Sequence, residues 1–349
     1  MKSSEAGKYT QAEILSQPET WQANLQELAG KDLAALPQAR EYARVIFTGC
    51  GSTHYLSMWA ACLLTELGHV HALALPASEL WQSPHIWLED KPETLLVAVS
   101  RSGETTETLM AAEQFLKRGR GACLAVTTRP GSTLAEMATQ ALVVPAGQER
   151  SVAQTRSFSS MMLAVLTLLT GAVPAGLPEA IYTAGEGLLP ACRELSQVIG
   201  QDAALDRFFF LGSGRFFGLA SEVMLKMKEM SLSYSEAYPF MEFRHGPMSM
   251  VNEGSLVVGL TEPCKAHFEA PLLADMRALG ARVLALGQGL DAEVQETAQH
   301  CLDLPKAVPA PWSDVLYLPL LQLIAFERAR LKGLDPDAPR NLSAVIELK

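Results

Sequence analysis

The sequence repeats one pattern of apolar segments, and this repeat constrains the fold more than any other feature. Four short apolar segments of the first half recur in the same order about 160 residues further along the chain. The paired segments are 45–52 with 208–215, 95–100 with 256–261, 123–126 with 283–286, and 141–145 with 301–305. Because stretches with a helical period separate these runs, each half predicts parallel strands that are buried on both faces. We therefore expect an α/β fold of two doubly wound units, each a parallel sheet flanked by helices.

Length and composition fit two such units. The 349 residues are 48% hydrophobic and 19% charged, which provides enough apolar material for buried cores and argues against disorder. We expect a helical arm over residues 1–34, a first domain over 35–180, a second over 181–330 and a loop-rich tail over 331–349. The uncharged stretch 157–178 is interrupted by Gly and Pro and predicts a buried helix rather than a membrane span.

Charge and cysteine usage exclude several classes of function. The net charge of -10 argues against a nucleic-acid binder, which needs a basic surface to displace counterions. It does not exclude an anionic ligand, because a phosphate is held by a local group of donors. The six cysteines show no metal-ligand spacing and no secretory signal opens the chain, so we expect idle reduced thiols, no metal and a cytoplasmic location.

Small polar residues follow one predicted strand of the first half. Ser100, Ser102 and Thr105 surround a Gly at a strand-to-helix turn, where hydroxyls, backbone N–H groups and a helix N-terminus suit a phosphate. The matching turn 261–264 has lost the serines and the Gly, so only the first half is expected to hold phosphate. The alternative is that these residues only cap the helix. The Gly-x-Gly turn at 49–53 is a weaker indication of a ligand site.

The second half carries the candidates for acid–base chemistry. Lys226 and Glu229 are three residues apart in a predicted helix, and therefore share a face. His245 follows in a turn. A carboxylate beside a phosphosugar can move a proton between adjacent carbons, and a His can open the sugar ring. The alternatives are a surface Lys–Glu pair and a structural His.

Seven short motifs, taken together, resemble those of the tandem sugar-isomerase (SIS) proteins, especially the isomerase half of the glutamine:fructose-6-phosphate amidotransferases. The resemblance spans residues 40–345. The motifs are 50–53, 100–105, 152–156, 225–231, 236–238, 244–247 and 339–342.

The resemblance implies a site that binds a hexose 6-phosphate and needs no cofactor. It implies that Thr53 binds the phosphate together with the 100–105 turn, and that residues 152 and 154 line the sugar. The substrate-binding residues implied are Cys50, Gly51, Ser52, Thr53, Ser100, Arg101, Ser102, Gly103, Thr105, Val152 and Gln154. Glu229 corresponds to the base that moves a proton between C1 and C2, with Lys226 near the sugar. His245 corresponds to the ring-opening residue, which reaches the site from the partner subunit of a homodimer. The tail is expected near the active site.

Three departures from the family pattern bear on the reaction. Residues 1–40 leave no room for the glutaminase domain of the amidotransferases, so we expect no ammonia supply from glutamine. Ala344 stands where the synthase has an imine-forming lysine, and Lys349 is out of register with it. Gln154 replaces a Ser of the sugar site.

The first two departures remove synthetic machinery and leave the proton-shuttling carboxylate and the phosphate turn. We therefore expect a metal-independent enzyme that isomerises an amino-sugar 6-phosphate and releases ammonia, as the glucosamine-6-phosphate deaminases do. The alternatives are a deglycase or isomerase that acts on fructosamine 6-phosphate, galactosamine 6-phosphate or another hexose phosphate, and a non-catalytic phosphosugar sensor. No nucleic-acid or membrane partner is expected.

Overall fold

The computed structural model of the protein describes residues 6–68, 71–89, 91–343 and 345. It contains two parallel sheets of five strands each. The strands of the first sheet are β1 (Arg44–Gly49), β2 (His71–Pro76), β3 (Thr94–Val99), β4 (Cys123–Thr127) and β5 (Gln140–Val143). Those of the second are β6 (Arg207–Gly212), β7 (Tyr234–Tyr238), β8 (Ser255–Thr261), β9 (Arg282–Gly287) and β10 (His300–Asp303). The predicted α/β fold is confirmed.

The two sheets share one topology. The first has the order β2-β1-β3-β4-β5, and the second, read from its other edge, has the equivalent order β7-β6-β8-β9-β10. All the strand pairs are parallel. The repeat in the sequence therefore corresponds to a repeat in structure. In such sheets ligands bind beyond the carboxyl ends of the strands, which places the turns after β1 and β3 where a site is expected.

Thirteen α-helices connect and cover the strands within the described residues. They are α1 (Lys8–Leu15), α2 (Gln17–Ala29), α3 (Ser52–Glu66), α4 (Ala77–Gln82), α5 (Pro84–Trp87), α6 (Thr106–Arg118), α7 (Thr133–Met137), α8 (Arg156–Thr170), α9 (Leu177–Gly200), α10 (Phe216–Ser231), α11 (Ala266–Ala278), α12 (Ala292–Thr297) and α13 (Leu318–Leu331). The longest of these helices is the 24-residue α9, which accommodates Pro190 in its interior.

The chain divides into two compact units. The first-sheet unit contains Glu19–Glu149 and Arg156–Glu179, and the second-sheet unit contains residues 6–18, Arg150–Thr155 and Ala180–Leu342. This division differs from a linear one in three places, one of which is Ser343, assigned to the first-sheet unit. The N-terminal arm is divided after Pro18, and the short segment 150–155 belongs to the second-sheet unit although its neighbours on both sides belong to the first.

The core of the first-sheet unit includes the predicted apolar helix. Most of α8 is buried, including Met161, Leu163 and Val165. Trp21 and Asn24 of α2 donate hydrogen bonds to its Ser159 and Ser160, each at 2.8 Å. The prediction of a buried helix is therefore confirmed. In the described part of the chain, no helix combines the length and apolar character needed to cross a membrane.

Candidate functional site

The turn between β3 and α6 is fixed by its own side chains. The Ser100 hydroxyl accepts a hydrogen bond from the Gly103 N–H at 3.1 Å, and Ser102 accepts one from the Glu104 N–H at 3.1 Å. Gly103 has a φ of 68°, and a Cβ there would lie 2.1 Å from the Ser132 hydroxyl oxygen. A side chain at this position is therefore excluded both by conformation and by space.

The helix that follows this turn begins after Thr105. Within the described residues, the Thr105 side chain makes no capping hydrogen bond to α6. The first N–H groups of an α-helix have no partner within the helix, and with the helix dipole they favour an anion. The turn thus has the donors and the tight backbone that a phosphate site requires.

Arg101 is held in place by a buried carboxylate. Its guanidinium is 3.1 Å from the Glu149 carboxylate, and the two side chains are 12% and 0% exposed. Glu149 also accepts hydrogen bonds from both the backbone and the hydroxyl of Ser157. The Arg101 carbonyl accepts from the hydroxyls of Thr127 and Thr128, each at 3.0 Å. Arg101 is therefore a fixed part of the turn rather than a mobile surface cation.

The turn after β1 lies in the same unit. The Thr53 hydroxyl accepts from the Cys50 N–H at 2.9 Å and donates to the Cys50 carbonyl at 3.0 Å. A Cβ at Gly49 would lie 2.4 Å from the Thr53 hydroxyl oxygen, so the strand approaches the helix closely here. Ser52 and Thr53 are buried, and Gly51 is exposed.

The Cys50 thiol lies against α6. Its sulfur is 3.5 Å from the Thr108 hydroxyl and 3.8 Å from the Glu107 carboxylate. Burial raises the pKa of this thiol to about 11, so it remains protonated near neutral pH and is a poor nucleophile. Its contribution to the turn is packing and hydrogen bonding.

One face of α10 carries a line of charged groups in the second-sheet unit. The Lys226 ammonium pairs with Glu222 at 3.3 Å and also with Glu229. Glu222 and Lys226 are buried, with side chains 0% and 1% exposed, whereas the Glu229 side chain is 18% exposed. The lysine thus holds two carboxylates, of which Glu229 is the one that solvent or a ligand can reach.

The sequence analysis missed Glu222. Glu222 lies four residues before Lys226, which places the two side chains on one helix face. This spacing is visible in the sequence and could have predicted the pair. The spacing does not show that Glu222 is buried, because i,i+4 pairs of this kind are also common on exposed helix faces. Burial distinguishes this carboxylate from a surface partner.

Glu229 borders a cavity of about 180 Å³. The cavity lies between the end of α10 and the tail segment, and is lined by Glu229, Met230, Leu232, Gly333, Leu334, Asp335, Ala338, Pro339 and Arg340. The tail therefore reaches the candidate base. Ala344 and Lys349, on which the expected loss of an imine-forming lysine depends, lie outside the described residues.

The segment 150–155 carries the two residues expected to line the sugar. Val152 and Gln154 are both half-buried. The side-chain carbonyl oxygen of Gln154 is buried and has no hydrogen-bond partner among the described residues. A buried acceptor without a partner costs about 1–3 kcal/mol, which a ligand that donates a hydrogen bond would recover.

His245 is exposed and lies outside α10. It follows the 3₁₀ turn Met241–Arg244, and its N–H donates to the Glu242 carbonyl at 3.0 Å. The structure thus brings Lys226 and Glu229 into contact on one helix, and places His245 at the surface of the same unit.

The turn after β8 differs from its counterpart after β3 in charge. Glu262 occupies the position that corresponds to Arg101, and it pairs with Lys265 and, at 3.4 Å, with Arg215. Glu269 lies beside it and accepts from the Glu262 N–H at 3.0 Å. Two carboxylates at this turn oppose an anion. Among the described residues, no three His, Cys, Asp or Glu side chains are grouped so that they could hold a metal ion.

Curated relatives match most of this chain. Glutamine–fructose-6-phosphate aminotransferase (isomerizing) of Symbiobacterium thermophilum is 34% identical in an alignment that covers 89% of this chain and 53% of the relative. The protein of the same name from Methanothermobacter thermautotrophicus is 28% identical over 91% of this chain and 54% of its own length. The chain spans about half the length of these relatives.

Solved structures match over nearly the whole chain. Glucosamine-6-phosphate deaminase of Thermotoga maritima has a TM-score of 0.81 at 26% identity, over 97% of this chain and 100% of that one. Tagatose-6-phosphate ketose/aldose isomerase of Escherichia coli has a TM-score of 0.83 at 24% identity, over 95% of each chain, and supports the fold.

The family model for the SIS domain matches residues 39–171 and 204–327. The two matched segments contain the two sheets, together with the turns after β1 and β3 and the charged face of α10. The chain therefore belongs to the SIS domain family and contains two tandem SIS domains.

Proposed function

We propose that this protein isomerises an amino-sugar 6-phosphate between its aldose and ketose forms and releases the amino group as ammonia. The observation that carries this proposal is the charged face of α10, where Lys226 is buried between Glu222 and Glu229 and only Glu229 opens onto a cavity. A carboxylate fixed by a buried cation beside a cavity suits a general base that works on a bound substrate.

In this proposal the first-sheet unit supplies the phosphate site. Ser100, Ser102 and Thr105 donate hydrogen bonds to the 6-phosphate, together with N–H groups at the start of α6. Thr53 donates once its hydroxyl turns away from the Cys50 carbonyl. The negative charge of the phosphate is offset by the helix dipole and by Arg101. Holding the substrate at its phosphate places C1 and C2 relative to the base, and fixed geometry of this kind is a large part of many rate enhancements.

The proposed reaction takes place on the open-chain sugar. Glu229 removes the proton from C2 of the aldose, a C1–C2 double bond forms, and the C1 carbonyl oxygen takes a proton from water, which gives an enolamine. The proton returns to C1, which leaves a protonated imine at C2. Water adds to that carbon, ammonia leaves, and the product is a ketose 6-phosphate. Lys226 holds the Glu229 carboxylate in place and offsets its charge.

His245 is proposed to open the sugar ring in the site of a second subunit. Its exposure, outside the cavity lined by Glu229, supports a role across an interface in a homodimer. A His donates and accepts protons near neutral pH, as ring opening requires.

An amino sugar is the preferred substrate because of the similar proteins. The matched structure of Thermotoga maritima is named a glucosamine-6-phosphate deaminase, and the similarity covers that chain completely. The curated relatives are named for amino transfer to fructose 6-phosphate. Both names concern a hexose 6-phosphate and the transfer or loss of an amino group.

The test is a substrate panel with a matched pair of variants. Wild-type protein is expected to release ammonia and fructose 6-phosphate from glucosamine 6-phosphate, and Glu229→Gln to lower kcat by about 10²–10⁴-fold with binding retained. The control is Lys228→Gln, which changes an exposed residue on the same helix. Near-wild-type turnover by Glu229→Gln would exclude Glu229 as the base.

The other members of the panel separate the competing functions. Turnover of fructosamine 6-phosphate or galactosamine 6-phosphate, without ammonia release from glucosamine 6-phosphate, would replace this proposal by a deglycase or by an enzyme for the other epimer. Tight binding of these compounds without turnover of any of them would replace it by a phosphosugar sensor.

A further inference from the structure

Glu13 of α1 is a buried carboxylate that holds the backbone of segment 150–155. It is 4% exposed, and its two oxygens accept from the N–H groups of Arg150 at 2.5 Å and Ser151 at 3.1 Å. The Arg150 guanidinium lies over the ring of Tyr9, also on α1, at 4.1 Å. Hydrogen bonds to an ionised carboxylate are among the stronger ones in proteins, so this attachment is specific rather than simple packing.

Ser151 extends this attachment toward the residues expected to line the sugar. Its hydroxyl donates to the Ala153 carbonyl at 2.9 Å. The backbone is therefore held on both sides of Val152 and directly before Gln154. The buried, unpartnered carbonyl oxygen of Gln154 follows immediately after this fixed stretch.

The tail in turn holds the N-terminus of α1. Asp335 accepts from the Gly7 N–H at 2.8 Å, and Asp337 accepts from the N–H groups of Tyr9 and Thr10 at 2.9 and 2.8 Å. These carboxylates cap a helix that has no side-chain cap of its own among the described residues. Because Asp335 also lines the cavity beside Glu229, α1 connects that cavity wall to segment 150–155.

We propose that Glu13 is a positioning residue for sugar recognition. Its carboxylate fixes residues 150–153 so that the amide oxygen of Gln154 is ready to accept a hydrogen bond from a hydroxyl or ammonium group of the sugar phosphate. This inference rests on the proposed function, in which Gln154 lines the sugar. Glu13 acts through the backbone of Ser151 and Ala153 and does not touch the substrate.

The first test compares Glu13→Ala with the control Gln17→Ala. Gln17 is fully buried, lies four residues after Glu13 and donates instead to Gln322 at 2.9 Å. Glu13→Ala is expected to raise KM for the sugar phosphate about tenfold, since misplaced binding groups weaken recognition. Its kcat is expected to stay within about twofold of wild type, because Glu229 lies on another helix. Gln17→Ala is expected to change neither value, and a KM in Glu13→Ala equal to that of Gln17→Ala would overturn the proposal.

A double-mutant cycle separates positioning from general stability. In a Gln154→Ala background the effect of Glu13→Ala on KM is expected to vanish, because the group that Glu13 positions is absent. Simple addition of the two effects would overturn the role of Glu13 in placing Gln154.

Amide hydrogen exchange supplies a readout that needs no substrate. Glu13→Ala is expected to speed exchange at Arg150 and Ser151, while Gln17→Ala leaves it unchanged. Equal exchange rates at Arg150 and Ser151 in Glu13→Ala and Gln17→Ala would overturn the positioning role of Glu13 and leave the proposed function standing. Wild-type protein that binds none of the sugar phosphates would overturn the proposed function and with it the sugar-binding role of the segment.

Discussion

Two buried glutamates of the second-sheet unit differ in how their charge is compensated. The carboxylate of Glu13 accepts two backbone N–H groups. Glu269, 2% exposed, accepts one, and its other oxygen has no partner among the described residues. Burial, together with the nearby Glu262 charge, raises the pKa of Glu269 to about 7, against the opposing effects of the backbone hydrogen bond and Lys265. An incompletely compensated carboxylate of this kind affects stability rather than catalysis.

Glu269 is expected to make folding pH-dependent between about pH 4.5 and 7. Because its pKa is raised on folding, its stabilising contribution is complete below about 4.5 and is lost as the pH rises through about 7. A tenfold difference in proton affinity between the folded and unfolded states corresponds to about 1.4 kcal/mol. Glu269→Gln is therefore expected to reduce the loss of unfolding free energy between pH 5 and pH 8, measured by urea denaturation.

The matched control for this measurement is Glu293→Gln, an exposed glutamate on α12. It should unfold with the same pH dependence as wild type. If the Glu269→Gln protein loses as much unfolding free energy as wild type between the two pH values, the account of Glu269 is wrong.

At the scale of elements, helix α10 positions the candidate acid–base group. Glu222 lies four residues before Lys226, and Glu229 lies three residues after it. Glu222, Lys226 and Glu229 lie on one face, and the first two are fully buried. Removing one partner from a buried ion pair typically costs about 3–5 kcal/mol, because a charge is left in a dry environment. Here Glu229 still pairs with Lys226 when Glu222 is removed, so a smaller cost is expected.

Glu222→Gln is expected to lower both stability and activity. Lys226 then loses a carboxylate that fixes its ammonium, so the Glu229 carboxylate that it holds is less precisely placed. We expect a lower urea midpoint and a kcat reduced by about tenfold or more, within the range that general-base catalysis contributes. Lys228→Gln, exposed on the same helix, should match wild type in both measurements. A wild-type kcat in Glu222→Gln would remove Glu222 from the proposed mechanism.

The sequence predicts some elements of this fold and hides others for a physical reason. Strands β1, β3 and β4, with β6, β8 and β9 of the second sheet, are apolar runs because helices cover both faces of the inner strands. The edge strands β5 and β10 are partly exposed, and the repeat contains them as shorter apolar segments. The edge strands β2 and β7 escape the repeat analysis, since both are partly exposed and their exposed positions carry no apolar requirement. The Lys226–Glu229 pair can be predicted from its spacing in the sequence. The hydrogen bonds from Arg150 and Ser151 to Glu13 cannot, because they join residues that are 137 and 138 positions apart in the chain.

At the scale of the whole molecule, two copies of one unit have diverged at equivalent turns. Aligned by the repeat, Arg101 corresponds to Glu262 and Ser102 to Pro263. The turn after β3 therefore offers a cation, a hydroxyl and an N–H group where the turn after β8 offers a carboxylate and a proline without an N–H. Lys265 and Arg215 at the second turn are engaged by Glu262, and Arg215 also by Asp314, so these cations are occupied by carboxylates.

This divergence predicts that each chain binds one sugar phosphate, with its phosphate at the turn after β3. Isothermal titration with fructose 6-phosphate is expected to give one equivalent bound per chain. Ser102→Ala is expected to weaken binding about tenfold or more, since a hydrogen bond to a charged group contributes about 1.5–3 kcal/mol. Pro263→Ala, the change at the equivalent position of the other copy, is expected to leave the affinity unchanged. Two equivalents per chain, or equal weakening by both variants, would show that the second turn also binds phosphate and that its carboxylates do not exclude an anion.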